Sequence, residues 1–130
     1  MKQVLATRWQ LTVEHDYGWS TATAGKAGSE WYGIAGYLKY EFDPGLALGL
    51  RLEWFRDDDG VRVGVPARHP DTVGHASDYF ETTLGLNWRP LPWMILRPSV
   101  RYDYSADWQA FSNNTRNDQV LLMSDVIIYF

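Results

Sequence analysis

The chain has 130 residues, no cysteine and a net charge of −4, with 7 Trp, 8 Tyr and 5 Phe. This length bounds it to one domain, residues 1–130; the missing thiols remove disulfides, thiol catalysis and cysteine-ligated metals, and the acidic balance argues against a nucleic-acid partner. Mean hydropathy is −0.34, and no apolar run reaches the roughly 20 residues of a membrane helix, whereas strands that hide their hydrophobicity in alternation are compatible with those totals.

The opening Met1-Lys2-Gln3 is not followed by the apolar run of a signal peptide, so an exported chain is expected to be processed or truncated. Arg8 to His15 alternates Trp9, Leu11 and Val13 with Arg8, Gln10, Thr12 and Glu14, which predicts a first strand that starts as early as Val4. Asp16 to Glu30 is rich in Gly, Ser, Thr and Ala and reads as a loop.

From Trp31 to Trp54 the period is two throughout. Tyr32, Ile34, Leu38, Tyr40 and Phe42 alternate with Trp31, Gly33, Ala35, Tyr37, Lys39 and Glu41. After Asp43-Pro44-Gly45, Leu46, Leu48, Leu50, Leu52 and Trp54 alternate with Ala47, Gly49, Arg51 and Glu53. Two strands joined by a tight turn follow, each with one apolar face ending in aromatics. Each is long enough to cross a bilayer at a tilt.

Arg56 to Asp78 is a second long loop, in which Val61, Val63 and Val65 alternate weakly before Pro66 and Pro70 cut the pattern. Tyr79 to Trp88 predicts a fourth strand, with Phe80, Thr82, Leu84, Leu86 and Trp88 opposite Glu81, Thr83, Gly85 and Asn87. Arg89-Pro90-Leu91-Pro92 is a short turn. Trp93 to Tyr104 is a fifth strand, with Arg97, Ser99, Arg101 and Asp103 on its polar side and Pro98 marking an edge, a bulge or a gap in the ladder. Ser105 to Asn117 is a third polar loop. Gln119 to Phe130 is a sixth strand, with Val120, Leu122, Val126, Ile128 and Phe130 opposite Asp125. The connections run long, short, long, short, long, the rhythm of an outer-membrane barrel with periplasmic turns and external loops. The terminal Phe130, with apolar residues at every second position before it, suits a C-terminal signal for barrel-assembly machinery.

The stretches Trp31 to Phe42, Leu46 to Arg62, Leu84 to Pro90, Leu96 to Ser105 and the tail from Asn113 resemble the C-terminal part of the OmpL-like outer-membrane β-barrel porins, the porin type 2 group. That resemblance implies a larger barrel with an export signal and a pore for small solutes. The fold class expected is therefore all-β, an antiparallel up-and-down transmembrane barrel. Six strands are too few to close one. The chain is expected to be a piece of a larger barrel, to share a barrel with other copies, or to hold further strands within residues 61–76.

If the apolar face meets lipid, the polar face lines a lumen carrying Arg8, Glu14, Lys39, Glu41, Arg51, Glu53, Glu81, Arg89, Arg97, Arg101, Asp103 and Asp125. Those charges would each cost several kcal/mol unpaired in a dry core. The expected pore-lining set is Lys39, Arg51, Glu53, Glu81, Arg97, Arg101 and Asp125. Distance from the short turns puts Arg51, Glu53, Glu81, Arg97, Arg101 and Asp125 nearest mid-height. The expected membrane-facing set is Tyr40, Phe42, Leu48, Leu50, Leu52, Trp54, Leu84, Leu86, Trp88, Ile128 and Phe130. Gly33, Ala35, Gly49 and Gly85 leave room for long neighbours. The balanced signs predict weak ion selectivity.

Other chemistry finds little support. Asp57-Asp58-Asp59-Gly60 lacks the twelfth-position ligand of an EF-hand, and His15, His69 and His75 share no metal-ligand spacing. Glu53 and Glu81 could pair as glycosidase carboxylates, but neighbouring arginines make wall salt bridges the simpler reading. No catalytic triad, phosphate loop or dinucleotide fingerprint is present. No enzyme, cofactor or metal is expected. The partners expected are outer-membrane lipid, barrel-assembly machinery and a possible homo-oligomer. The function expected is passive diffusion of small hydrophilic solutes or ions. Its rivals are a structural or adhesive barrel with a plugged lumen, and a soluble β-barrel whose leucines face inward onto an apolar ligand.

Overall fold

Alternating apolar and polar residues between turn-forming segments produce one antiparallel sheet of seven strands, ordered as in the sequence. The computed structural model describes residues 2–6, 8–21, 28–63 and 75–130. The strands are β1 (Lys2–Ala6), β2 (Trp9–Ser20), β3 (Ser29–Asp43), β4 (Leu46–Asp57), β5 (Ser77–Leu91), β6 (Met94–Ser105) and β7 (Asp118–Ile128).

The six long strands expected are all present, and the short β1 precedes them. Residues near Val4 do not extend the first strand. They double back on it, pairing Lys2 with Thr12 and Ala6 with Trp9. A second correction concerns Asp16 to Glu30. Strand β2 continues through Ser20, and β3 starts at Ser29, the two ends pairing Ser20 with Ser29. Of the alternation at 61–65, Val61 and Val63 lie outside any strand, and Val65, Pro66 and Pro70 lie outside the described residues.

At the β3–β4 turn the Gly45 N–H donates to Asp43 Oδ1 at 2.7 Å, an Asx-type closure with Pro44 between them. Pro98, without an N–H, interrupts the β5–β6 ladder. Pairing stops at Gly85–Ser99 and resumes in the same register at Trp88–Leu96, while on its other side Pro98 still lies opposite Ser124. The outcome expected there as a gap is the one found. Phe130 falls beyond the end of β7, whose last residue is Ile128. The chain end is still tied down by the Tyr129 N–H, which donates to the Trp93 carbonyl at 2.9 Å.

The sheet is open. Strands β1 and β7 are its two edges and make no contact with each other. Both run toward the end that carries the short turns, so they point the same way. Antiparallel closure therefore needs an odd number of further strands between them.

Register places Gly18 directly opposite Trp31, whose indole covers it: a Cβ at position 18 would stand 2.3 Å from Trp31 Cε2. The Arg62 guanidinium lies over the same ring, 4.6 Å from its centroid. Gly18→Val is expected to expel the indole and to destabilise the protein by about 1–3 kcal/mol, the usual cost of overpacking. A denaturant titration that leaves the midpoint unchanged would contradict this packing.

Candidate functional site

The two faces of the sheet have opposite chemistry. One carries Trp9, Leu11, Val13, Tyr17 and Trp19 of β2 beside Tyr32, Ile34, Leu38 and Tyr40 of β3. It continues through Leu46, Leu48, Leu50, Leu52 and Trp54 of β4, then Phe80, Leu84, Leu86 and Trp88 of β5. Many of these side chains are exposed, among them Trp19, Ile34, Leu52, Phe80, Leu84 and Trp88. The buried strand residues among those described are Ala35, Ala47, Tyr79, Ser29, Asp57, Ser77, Glu81, Asp103 and Ser105, and every one stands on the other face. A hollow of about 510 Å³ on that face is lined by Gln10, Thr12 and Glu14 of β2 and also by Arg97, Ser99 and Asp125 of β6 and β7. Side chains from nearly opposite edges can share one hollow only on the concave side. The protein is polar where it curves inward and apolar where it curves outward.

The concave face is built in rows. One row runs Glu14, Ala35, Glu53, Glu81, Asp103, Gln119 across β2 to β7. The next, one pleat nearer the short turns, runs Thr12, Tyr37, Arg51, Thr83, Arg101, Leu121. Each arginine bridges two carboxylates on different strands. Arg51 pairs with Glu53 and Glu81. Arg101 Nη1 lies 3.2 Å from Glu81, and its Nε donates to Asp103 at 2.7 Å. Thr83 Oγ1 donates to Glu81 at 2.7 Å, and Gln119 Nε2 donates to Asp103 at 2.7 Å. The result is one continuous charged ladder over three strands, extended onto β7 by Gln119, with Glu81 ion-paired to both arginines at its centre.

Of the pore-lining residues expected, Arg51, Glu53, Glu81 and Arg101 meet in this ladder. Lys39 lies one row lower, level with Gly49, Gly85 and Ser99, and sits 3.6 Å from Glu41. Arg97 and Asp125 pair with each other at 2.7 Å, but in the row of Ala47, two rows below Arg51. They stand nearer the short turns than Arg51, because register rather than distance along each strand sets the level. The sequence reading missed Asp16 and Asp57, which stand on the same face nearer the long loops.

The convex face shows two aromatic bands. Near the short turns Trp9 and Tyr40 lie 4.5 Å apart and Tyr40 and Phe42 lie 4.9 Å apart. Near the long loops Tyr32 and Trp54 are 5.7 Å apart, and Phe80 and Tyr104 are 6.4 Å apart. Leu48, Leu50, Leu52, Leu84 and Leu86 fill the space between. Along β4 the apolar span from Leu46 to Trp54 is about 27 Å at about 3.4 Å per residue, which a tilt near 40° reduces to roughly 21 Å of height, close to the ~25 Å band of such barrels. Ile128 is on this face too, opposite Met94. Phe130 lies past the strand.

Residues 3–130 match the family model described as "Putative beta-barrel porin-2, OmpL-like". The chain belongs to this family. No curated protein and no solved structure matches it. Membership accounts for the inside-out polarity: the sheet is wall of a membrane-embedded β-barrel porin, with its apolar bands outward.

The loop end of the sheet is held by side chains that no sequence motif marks. Arg56 Nε donates to Asp58 at 2.7 Å, its Nη1 lies 3.0 Å from Asp78 and 3.4 Å from Asp107, and Trp54 Nε1 donates to Asp78 at 2.7 Å. The Asp57-Asp58-Asp59-Gly60 run is thus spent on a turn and an ion cluster. No group of metal-ligating residues forms among the described residues. His75 stacks on Trp108 at 5.4 Å, His15 sits on the convex face opposite Ile34, and His69 lies outside the described residues.

Proposed function

We propose that this chain forms wall of an outer-membrane channel through which small hydrophilic solutes or ions diffuse passively, a role that needs neither catalysis nor a cofactor. The observation that carries the reading is the charged ladder of Glu53, Arg51, Glu81, Arg101 and Asp103 on a concave face whose convex side is apolar. Fixed charges at that density belong beside water, where their cost of burial is avoided, and they can orient polar solutes in transit. Lys39, Arg97 and Asp125 line the same lumen below them. Because each arginine neutralises parts of two carboxylates, selectivity is expected to be weak and to favour cations slightly. A soluble barrel enclosing an apolar ligand fits poorly, since the concave face is the polar one.

Lipid covers the convex face in this reading, and barrel-assembly machinery engages β7. Copies arranged around one barrel axis would bring β7 of one against β1 of the next in parallel, so an antiparallel barrel shared by copies requires β1 to leave its four-pair ladder. A barrel with a plugged lumen that displays its loops is the second reading, favoured by the burial of Ser29, Asp57, Ser77 and Ser105 at the loop end. Solute entry separates the two. Protein extracted from membranes and placed in liposomes is expected to admit small sugars and to show a weakly cation-selective current. Sealed liposomes containing folded, heat-modifiable protein would rule out the channel.

A further inference from the structure

The four most buried side chains among the described residues, Asp57, Ser29, Ser77 and Ser105, all stand on the concave face at the loop end. An open mouth would leave them in water. Two loops cover this region instead. The Asp57 carboxylate accepts the N–H groups of Val61 at 3.1 Å, Arg62 at 2.8 Å and Val63 at 3.0 Å. With Gly60 at φ +66°, this curls residues 58–63 back and lays Arg62 on the concave-face Trp31.

The β6–β7 loop comes in from the other side. Trp108 Nε1 donates to the hydroxyl of Tyr79, a concave-face residue only 9% exposed, at 2.7 Å. Asn117 Nδ2 donates to the Ser105 and Trp108 carbonyls at 3.2 and 3.3 Å, tying the loop base. Beyond Trp108 the chain makes a tight hairpin in which Phe111 N–H donates to Arg116 O at 3.0 Å and Thr115 N–H donates to Phe111 O at 3.1 Å. Its tip holds three consecutive left-handed residues, Ser112, Asn113 and Asn114, at φ 52°, 57° and 61°. Asn tolerates that conformation and Ser less so, so the tip keeps its shape because both ends are pinned. Phe111 and Val63, one from each loop, both line a hollow of about 160 Å³ bordered by Glu53, Glu81 and Asp103. The hollow farther down the wall is about 510 Å³. Phe111 thus stands beside the charged ladder, on the loop side of it.

We propose that the β6–β7 loop is an inward-folded constriction, with Trp108 as its anchor and Phe111 as the side chain that limits solute size at the outer mouth. The proposal rests on the channel reading and sharpens it: compact polar solutes pass over the charged ladder, and bulkier ones meet Phe111 first.

The native absence of cysteine allows docking to be tested apart from transport. Phe111→Cys in membrane-embedded protein is expected to react with a maleimide roughly ten-fold more slowly than Asn113→Cys, because position 111 is partly covered by the docked loop and Asn113 is exposed. Adding Trp108→Ala to each should remove the difference. Equal rates without that change overturn the docked loop. Liposome swelling then tests the consequence: Trp108→Ala with Phe111→Ala is expected to admit larger sugars and to raise single-channel conductance roughly two-fold, as a wider constriction should. Swelling identical to the parent overturns the constriction alone. If neither protein admits any solute while the thiol introduced by Phe111→Cys still reacts slowly, the channel reading fails and the size limit fails with it.

Discussion

Leu50→Arg is expected to cost about 2–4 kcal/mol of folding stability in a bilayer, the penalty for a basic residue at the midplane on the lipid face of a barrel. Gly49→Arg, one residue away, is expected to cost far less. Leu50 lies in the centre of the convex apolar band, between Leu38 and Leu84. Gly49 faces the concave hollow, and a Cβ there would meet only the Gly85 carbonyl, at 3.8 Å. An arginine from position 49 can extend into water between Lys39 and Ser99. Folding into lipid vesicles, followed in urea by tryptophan fluorescence, measures both variants on one scale. Similar losses for the pair would mean that the two faces do not differ in the way described.

The second large effect concerns the centre of the ladder. Glu81 is 8% exposed, accepts from Arg51 and Thr83, and is ion-paired with Arg101. Glu81→Gln keeps the shape and removes the charge, leaving two guanidinium groups with one carboxylate partner each. Losing one member of a fully buried ion pair costs about 3–5 kcal/mol. Here the arginine side chains are 27% and 38% exposed, so water takes up part of the deficit and a loss of about 2 kcal/mol is expected. The reversal potential in a salt gradient should move toward anions. Asp103→Asn, at the end of the ladder and served by Arg101 and Gln119 alone, should have the smaller effect on both readings. The reverse order would place the electrostatic centre elsewhere.

These contrasts depend on two kinds of information that the sequence holds unequally. The hairpin from Trp31 to Trp54 was legible because its alternation is unbroken and its turn is marked by Asp43-Pro44-Gly45. The outer half of β2 was harder to see. Tyr17 and Trp19 do continue the apolar period after Trp9, Leu11 and Val13, but polar His15 interrupts it just where glycine and serine begin to suggest a loop. In β7 the run Val120-Leu121-Leu122-Met123 hides which residues face inward. Pairing settles it: Leu121 lies opposite Arg101 and Met123 opposite Ser99, both on the concave face. Strand β1 is only five residues long, too short to display a period.

The ladder was half legible. Its residue types were evident, but the partnership of Arg51 with Glu81 depends on β4 pairing Glu53 with Glu81, a register that no single strand encodes. The same reason separates Arg97 from Arg51. The roof was hidden altogether, since Asp57 reads as one acid among three until its carboxylate is seen to hold three successive N–H groups.

Accessibility along β4 is the most direct measurement of the claim that one face meets lipid and the other a hydrated lumen. Single cysteines from position 46 to position 54, spin-labelled in membrane-embedded protein, would be read for collision with oxygen, which concentrates in lipid, and with a water-soluble nickel chelate. Positions 46, 48, 50, 52 and 54 are predicted to favour oxygen, and 47, 49, 51 and 53 the chelate, in strict alternation. Protection of the odd positions from both reagents would mean a dry, packed interior. Preference of the even positions for the chelate would contradict the inside-out sheet itself.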